Sequence, residues 1–218
     1  MSRICWRTDL RAPFWPSNSL ILKSLCFEEF YCYDYGMFKF LGLLMVLVSW
    51  VSGLYLTRKW RGTRAMSISE HAASHKSAAK LFTLVLVAGG TIFYAWLVAW
   101  FVPHLKLSVG FIILLSVTMV AQMIAGVIPD TKGWQKIVHR TAAYGMAVLY
   151  LPLSFIIVTA PETPSNAQII GIVCLTYMIG AGLGFLTIKR ARPHFLIAQS
   201  LYIGAFQLII LSAAYLSV

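Results

Sequence analysis

From residue 40 to its end the chain alternates long runs free of Asp, Glu, Lys, Arg and His with short polar connections. Six such runs cover residues 40–56, 81–101, 107–128, 141–158, 167–188 and 195–218. Each approaches the roughly 20 residues a helix needs to cross the hydrocarbon core of a bilayer. Lipid offers no hydrogen bonds to the backbone, so apolar runs of this length predict helices, whose backbone groups pair within the segment. The connections are short apart from residues 57–80, which makes consecutive helices antiparallel neighbours. The pattern predicts an all-α fold, a polytopic transmembrane bundle of six helices running up and down.

Composition agrees with the pattern. Hydrophobic residues make up 59% of the chain and charged residues 11%, against roughly 25% charged in soluble domains. The net charge of +11 does not point to nucleic acid, because the basic residues lie in short connections rather than on a soluble module. It reports orientation instead. Arg58, Lys59, Arg61, Arg64, Lys76 and Lys80 follow the first run, Lys132, Lys136 and Arg140 precede the fourth, and Lys189, Arg190 and Arg192 follow the fifth. The opposite face carries Lys39 and Lys106 alone, beside a connection with Glu162 and no Lys or Arg. Short basic loops stay in the cytoplasm, which places connections one, three and five inside and both termini outside, in a multi-pass protein of the cell (plasma) membrane.

Residues 1–36 do not follow this scheme. They carry Arg3, Arg7, Arg11 and Lys23, and Asp9, Pro13 and Pro16 break up any apolar core that a signal peptide would need. Met37 is followed at once by Phe38, Lys39 and the first run, which predicts translation from Met37, with a disordered or surface-lying tail as the alternative. The domain reading is a non-membrane tail over 1–36 and a transmembrane domain over 37–218. Cys5, Cys26 and Cys32 fall in the tail and Cys174 in the fifth run, where it is expected to pack as a small apolar residue.

Several residues mark helix ends and faces. Ser67, Ile68, Ser69 and Glu70 have the form of a capping box, which starts the second helix near Ile68 and lets it project about three turns beyond the membrane edge. Asp130 is placed to cap the fourth helix, with Trp134 at the interface and Arg140 snorkelling to the headgroups. Trp50, Tyr94, Trp96 and Trp100 have the look of aromatic belts. Pro152 predicts a kink near Ser154, and Gly89 with Gly90 a second one. Small residues from Gly180 to Gly184 and from Ala121 to Ala125 predict close helix packing, or self-association through Gly180 and Gly184.

Chemistry has few places to sit. No acid lies within the spans, which argues against proton or sodium coupling. Gln122, Gln199 and Gln207 need partners in hydrocarbon, so they knit helices three and six together or line a polar cavity. On the inner face, Glu70, His71, His75, Asp130, His139 and His194 form a candidate polar or metal cluster. Four-residue spacing sets His71 and His75 on one helical face, suited to a divalent metal with Glu70 or Asp130 as oxygen ligand, while His75 and His139 offer a haem pair. Solvated boundary residues are the plainer reading, with no cofactor bound.

Two stretches carry a resemblance. The segment Ser67 to Ala73, and Ile128-Pro129-Asp130 with Gly133-Trp134 and His139 to Tyr144, resemble an uncharacterised bacterial six-helix integral membrane family. That family is similar to domain of unknown function 998 and, distantly, to damage-regulated autophagy modulator proteins. The resemblance covers about residues 38–217 and implies six helices, an acidic and histidine motif where the third connection meets the fourth helix, and no established catalytic activity. The leading expectation is a non-enzymatic integral membrane protein whose partner is the lipid bilayer. The alternatives are a small-molecule or lipid transporter using the glycines of span five and the glutamines of spans three and six, and a haem- or metal-binding membrane protein.

Overall fold

A computed structural model describes residues 35–60, 62–187 and 194–216, with side chains from residue 38 and omitting those of 185–187. The expectations for the tail, its three cysteines and Lys189, Arg190 and Arg192 fall outside these residues. Every regular element described is helical. In chain order they are α1 (Tyr35–Lys59), the short α2 (Ile68–Ala73), α3 (Lys76–His104), α4 (Val109–Val127), α5 (Trp134–Thr159), α6 (Ser165–Thr187) and α7 (Phe195–Tyr215). Six of them, all but α2, are long and apolar enough to cross a membrane. The chain is thus an integral, multi-pass membrane protein built as an all-α six-helix bundle.

Neighbours in sequence are neighbours in space. α4 packs on α5, α5 on α6, α6 on α7, and α3 lies between α1 and α4. α7 returns to α1, where Tyr215 donates its hydroxyl proton to the Lys39 carbonyl and Trp50 Nε1 donates to Gln207 Oε1 at 2.6 Å. α6 packs against α5 and α7 alone among the spans in close contact, so it stands outside the ring formed by the other five. One end of the bundle gathers α2, the Asp130 connection and the start of α7, joined by the Leu196 N–H donating to the Arg64 carbonyl at 3.1 Å. The opposite end carries the Lys106–Glu162 ion pair at 2.7 Å.

The two halves are packed differently. Toward the Glu162 end, Trp96, Phe101, Phe111, Leu153, Ile157 and Ile210 are fully enclosed in one apolar core. Trp96 and Trp100 belong to this core and not to an aromatic belt. Trp96 has no exposed surface, stacks between Phe93 and Trp100 at 5.6 and 5.3 Å, and lies flat on Gly42 of α1. Trp134, by contrast, is 65% exposed, in keeping with an interfacial position. Cys174 is buried in the core as a small apolar side chain.

α3 departs from a plain helix twice. Its hydrogen bonding widens to π geometry over Val85–Gly89 and again over Leu97–Phe101, so Gly89 and Gly90 mark the edge of a π segment. Gly90 has a packing reason too, since a side chain there would collide with the Gln122 amide. α5 runs as one helix through Pro152, and Ser154 faces the Met178 sulfur at 3.9 Å. Gly180, Gly182 and Gly184 of α6 make no close packing contact among the described residues, whereas Gly171 lies against Val158 of α5. A Cβ added at Gly180, Gly182 or Gly184 would meet nothing within 4 Å among the described residues.

α3 ends in a Schellman turn. The Leu107 N–H donates to the Val102 carbonyl and the Lys106 N–H to the Pro103 carbonyl, with Lys106 left-handed at φ 50° where glycine is usual. Lys106 is 75% exposed and its pair with Glu162 is correspondingly weak. Lys106→Gly is therefore expected to melt at or slightly above the parent temperature, because relief of the left-handed strain offsets a surface pair worth about 0–1 kcal/mol. A clear drop on thermal unfolding in detergent would assign the ion pair a larger part in joining the two loops.

Candidate functional site

The Asp130 end is built from α2 downward. Ser67 opens α2 with a complete capping box, its hydroxyl accepting from the Glu70 N–H at 3.1 Å while Glu70 Oε2 accepts from the Ser67 N–H at 2.8 Å. The box forms as the sequence predicts, but the helix does not continue. It stops at Ser74, and His75 caps a separate start of α3, its Nδ1 accepting from the Ser77 N–H at 3.2 Å. His71 and His75 therefore do not share a helical face. His75 is exposed and stacked on Trp60, and His71 is buried with Nδ1 against the Ser67 carbonyl at 2.9 Å.

Asp130 is not a helix cap either. α5 begins at Trp134 after Gly133, whose φ of +63° and ψ of −139° suit a residue without a Cβ. Asp130 instead turns inward, and Arg140 engages it together with Glu70. The guanidinium bridges two loops, Nη2 donating to Glu70 Oε1 at 2.7 Å and Nε to Asp130 Oδ1 at 3.4 Å. Ser69 donates to Asp130 Oδ2 at 3.5 Å, and Ser67 lies 2.9 Å from Ser69. The result is a closed ring of polar contacts: Ser67, Glu70, Arg140, Asp130, Ser69 and back to Ser67. Arg140 is its hub, and the meeting of Glu70 with Asp130 expected of the inner-face cluster is made through this residue, which the expectation left out.

Of the expected cluster, Glu70 and Asp130 thus come together through Arg140. His139 is buried alongside, its Nδ1 on the Ile128 carbonyl at 2.7 Å. His194 is exposed at the start of α7. Among the described residues no three of His, Cys, Asp and Glu are grouped as metal ligands. His75 and His139 serve different contacts, one a helix cap and the other a buried carbonyl.

Beside the ring lies a cavity of about 200 Å³ lined by residues of α1, α3, α4, α5 and α7, with Ile68 and Ser69 of the α2 start also on its border. All three glutamines border it, but they do not join helices three and six. Gln122 donates from Nε2 to the Leu86 carbonyl in the first π segment of α3 at 2.9 Å. Gln199 Oε1 accepts from the Ile68 N–H at 3.1 Å, and Gln207 holds Trp50. Two further contacts join α3 to α4. Thr83 donates to the Gly126 carbonyl at 2.7 Å, and Tyr94 donates to Ser116, whose own proton goes to the Ile112 carbonyl.

The cavity wall mixes polar and apolar side chains. It presents His139, Gln122, Gln199, Gln207, Tyr94 and Tyr150 among apolar side chains that include Phe93, Leu97 and Phe206. No Lys, Arg, Asp or Glu borders it. A pocket lined in this way holds an apolar body and fixes its orientation through a few polar groups. α6 takes no part, so the glycines of span five do not border it. No protein-family model, curated protein or solved structure matches the chain.

Proposed function

We propose that this integral membrane protein is a non-enzymatic binder of a small molecule, held in the cavity beside the Arg140 ring. The observation that carries the reading is the cavity among five spans, bordered by His139 and three glutamines and by no Lys, Arg, Asp or Glu. A bundle held only by packing has no need of such a space, since voids remove contacts from the residues around them. Release and uptake of the molecule across the bilayer, the transporter reading, is the natural extension of the same site. Membership of the six-helix family resembled by the Ser67 and Ile128 motifs belongs to this proposal, as does residence in the plasma membrane.

The test is extraction. Purified full-length protein in lipid nanodiscs, denatured in organic solvent, is expected to release an organic molecule absent from empty nanodiscs, read by mass spectrometry. Ala143→Phe, which fills the cavity from α5, should abolish the release while the protein stays folded. Nothing above the blank, or equal release from the filled variant, would overturn the reading.

The proposed orientation sets the ring in the cytoplasm, on the twelve basic residues named for connections one, three and five. A membrane-impermeant maleimide applied to intact cells should label a cysteine at Glu162 and spare one at Arg64. The reverse pattern would invert the protein.

A further inference from the structure

Resting on the cavity as a ligand site, we infer that its ligand is an uncharged, single-chain amphiphile with a hydroxyl head, bound with that head toward His139 and Gln199. The inference comes from what the cavity's polar side chains leave unused. Four of them, Gln122, Gln199, Gln207 and His139, each have two hydrogen-bonding ends and commit one to the protein. Gln199 and Gln207 accept with Oε1, leaving their NH₂ groups as donors; Gln122 donates with Nε2, leaving its Oε1 as acceptor. His139 faces a carbonyl with Nδ1, so that nitrogen carries the proton, and in the neutral ring Nε2 is an acceptor. None of these second ends has a partner among the described residues.

They are also not sealed away. Trp96 Nε1, in the apolar core, is the one side-chain polar atom among the described residues that is both buried and unpartnered. The unused ends are therefore accessible, and the residues that carry them border the cavity. Polar groups in a largely apolar surrounding gain from a partner, and a partner that serves both kinds of end must both give and take a hydrogen bond. A hydroxyl does both at one atom, donating to His139 Nε2 and accepting from the Gln199 amide.

Charge and size narrow the class. A carboxylate or ammonium would be stripped of water with no opposite charge in the wall. The volume of about 200 Å³ is below the roughly 300–1,000 Å³ of pockets for drug-sized ligands, which favours one short chain over a two-chain lipid. The aromatic and aliphatic side chains of the wall receive that chain.

The test uses three photoreactive probes on one medium-length aliphatic chain, each with a diazirine beside the head: a primary alcohol, a carboxylate and an ammonium. The full chain in nanodiscs is irradiated with each and the labelled peptides are mapped by mass spectrometry. The alcohol should label the segments around His139 and Gln199, and excess unmodified alcohol should suppress it. His139→Asn retains a donor for the Ile128 carbonyl but removes the Nε2 acceptor, and should lower alcohol labelling roughly fivefold, the worth of about one hydrogen bond. Suppressible labelling by the carboxylate or ammonium in place of the alcohol overturns the class while the cavity reading stands. Alcohol labelling confined to Phe93 and Phe206 reverses the head placement and overturns the inference. No suppressible labelling by any probe overturns it too, and the extraction experiment then decides whether the cavity reading falls with it. The probe series on the unmodified protein decides even where the histidine variant does not fold.

Discussion

Arg140→Met is expected to destabilise the folded chain by about 3 kcal/mol, the low end of what removing one partner from a buried ion pair costs. The low end applies because the Arg140 side chain is 39% exposed. Asp130, however, is 3% exposed, and without the guanidinium its nearest donor is Ser69 at 3.5 Å. Glu70 keeps the capping box but loses its bridge to α5. Arg140→Lys should recover little, because a single ammonium cannot reproduce two N–H groups directed at carboxylates on different loops. Asp130→Asn introduced beside Arg140→Met should recover part of the loss by removing the stranded charge. Thermal unfolding in detergent measures all three, and an Arg140→Met protein melting like the parent would mean that the ring is solvated and holds nothing.

Gly42→Ala should cost about 2 kcal/mol, within the range for overpacking a well-filled core. The added carbon would sit 2.5 Å from the Trp96 ring, and that ring is fully enclosed and stacked on both sides. Neither the indole nor the α1 backbone has room to yield. Gly53→Ala in the same helix is the control, since nothing lies within 4 Å of a Cβ there. It should be neutral or stabilising by up to about 1 kcal/mol through helix propensity. Equal melting temperatures for the two variants would mean that α1 slides freely on α3.

The contrast between these glycines locates what the sequence could and could not reveal. Span number and extent were legible because burial in lipid demands long uncharged runs, and the six observed helices overlap the six runs. The Ser67 box was legible because both its bonds are local. Rotation of each helix about its axis was not, since a helix apolar on all sides gives no stripe that separates lipid from protein. Trp96 and Trp100 were misplaced for that reason, and of the two roles weighed for the glutamines the structure has them border a cavity and not join helices three and six. The break at Ser74 was hidden because no proline or glycine marks it. The bridge made by Arg140 was hidden because its two carboxylates lie 70 and 10 residues away along the chain.

The return of α7 to α1 sets an order on biosynthesis. Chains leave the ribosome N-terminus first, so α1 enters the membrane long before the 21 residues of α7 exist. Until then the Trp50 indole has no Gln207, the Lys39 carbonyl has no Tyr215, and the Ile68 amide has no Gln199. The half-made protein is a trough open along one side to the surrounding acyl chains. Insertion of the final helix shuts that trough, and whatever occupies it at that moment is enclosed with it.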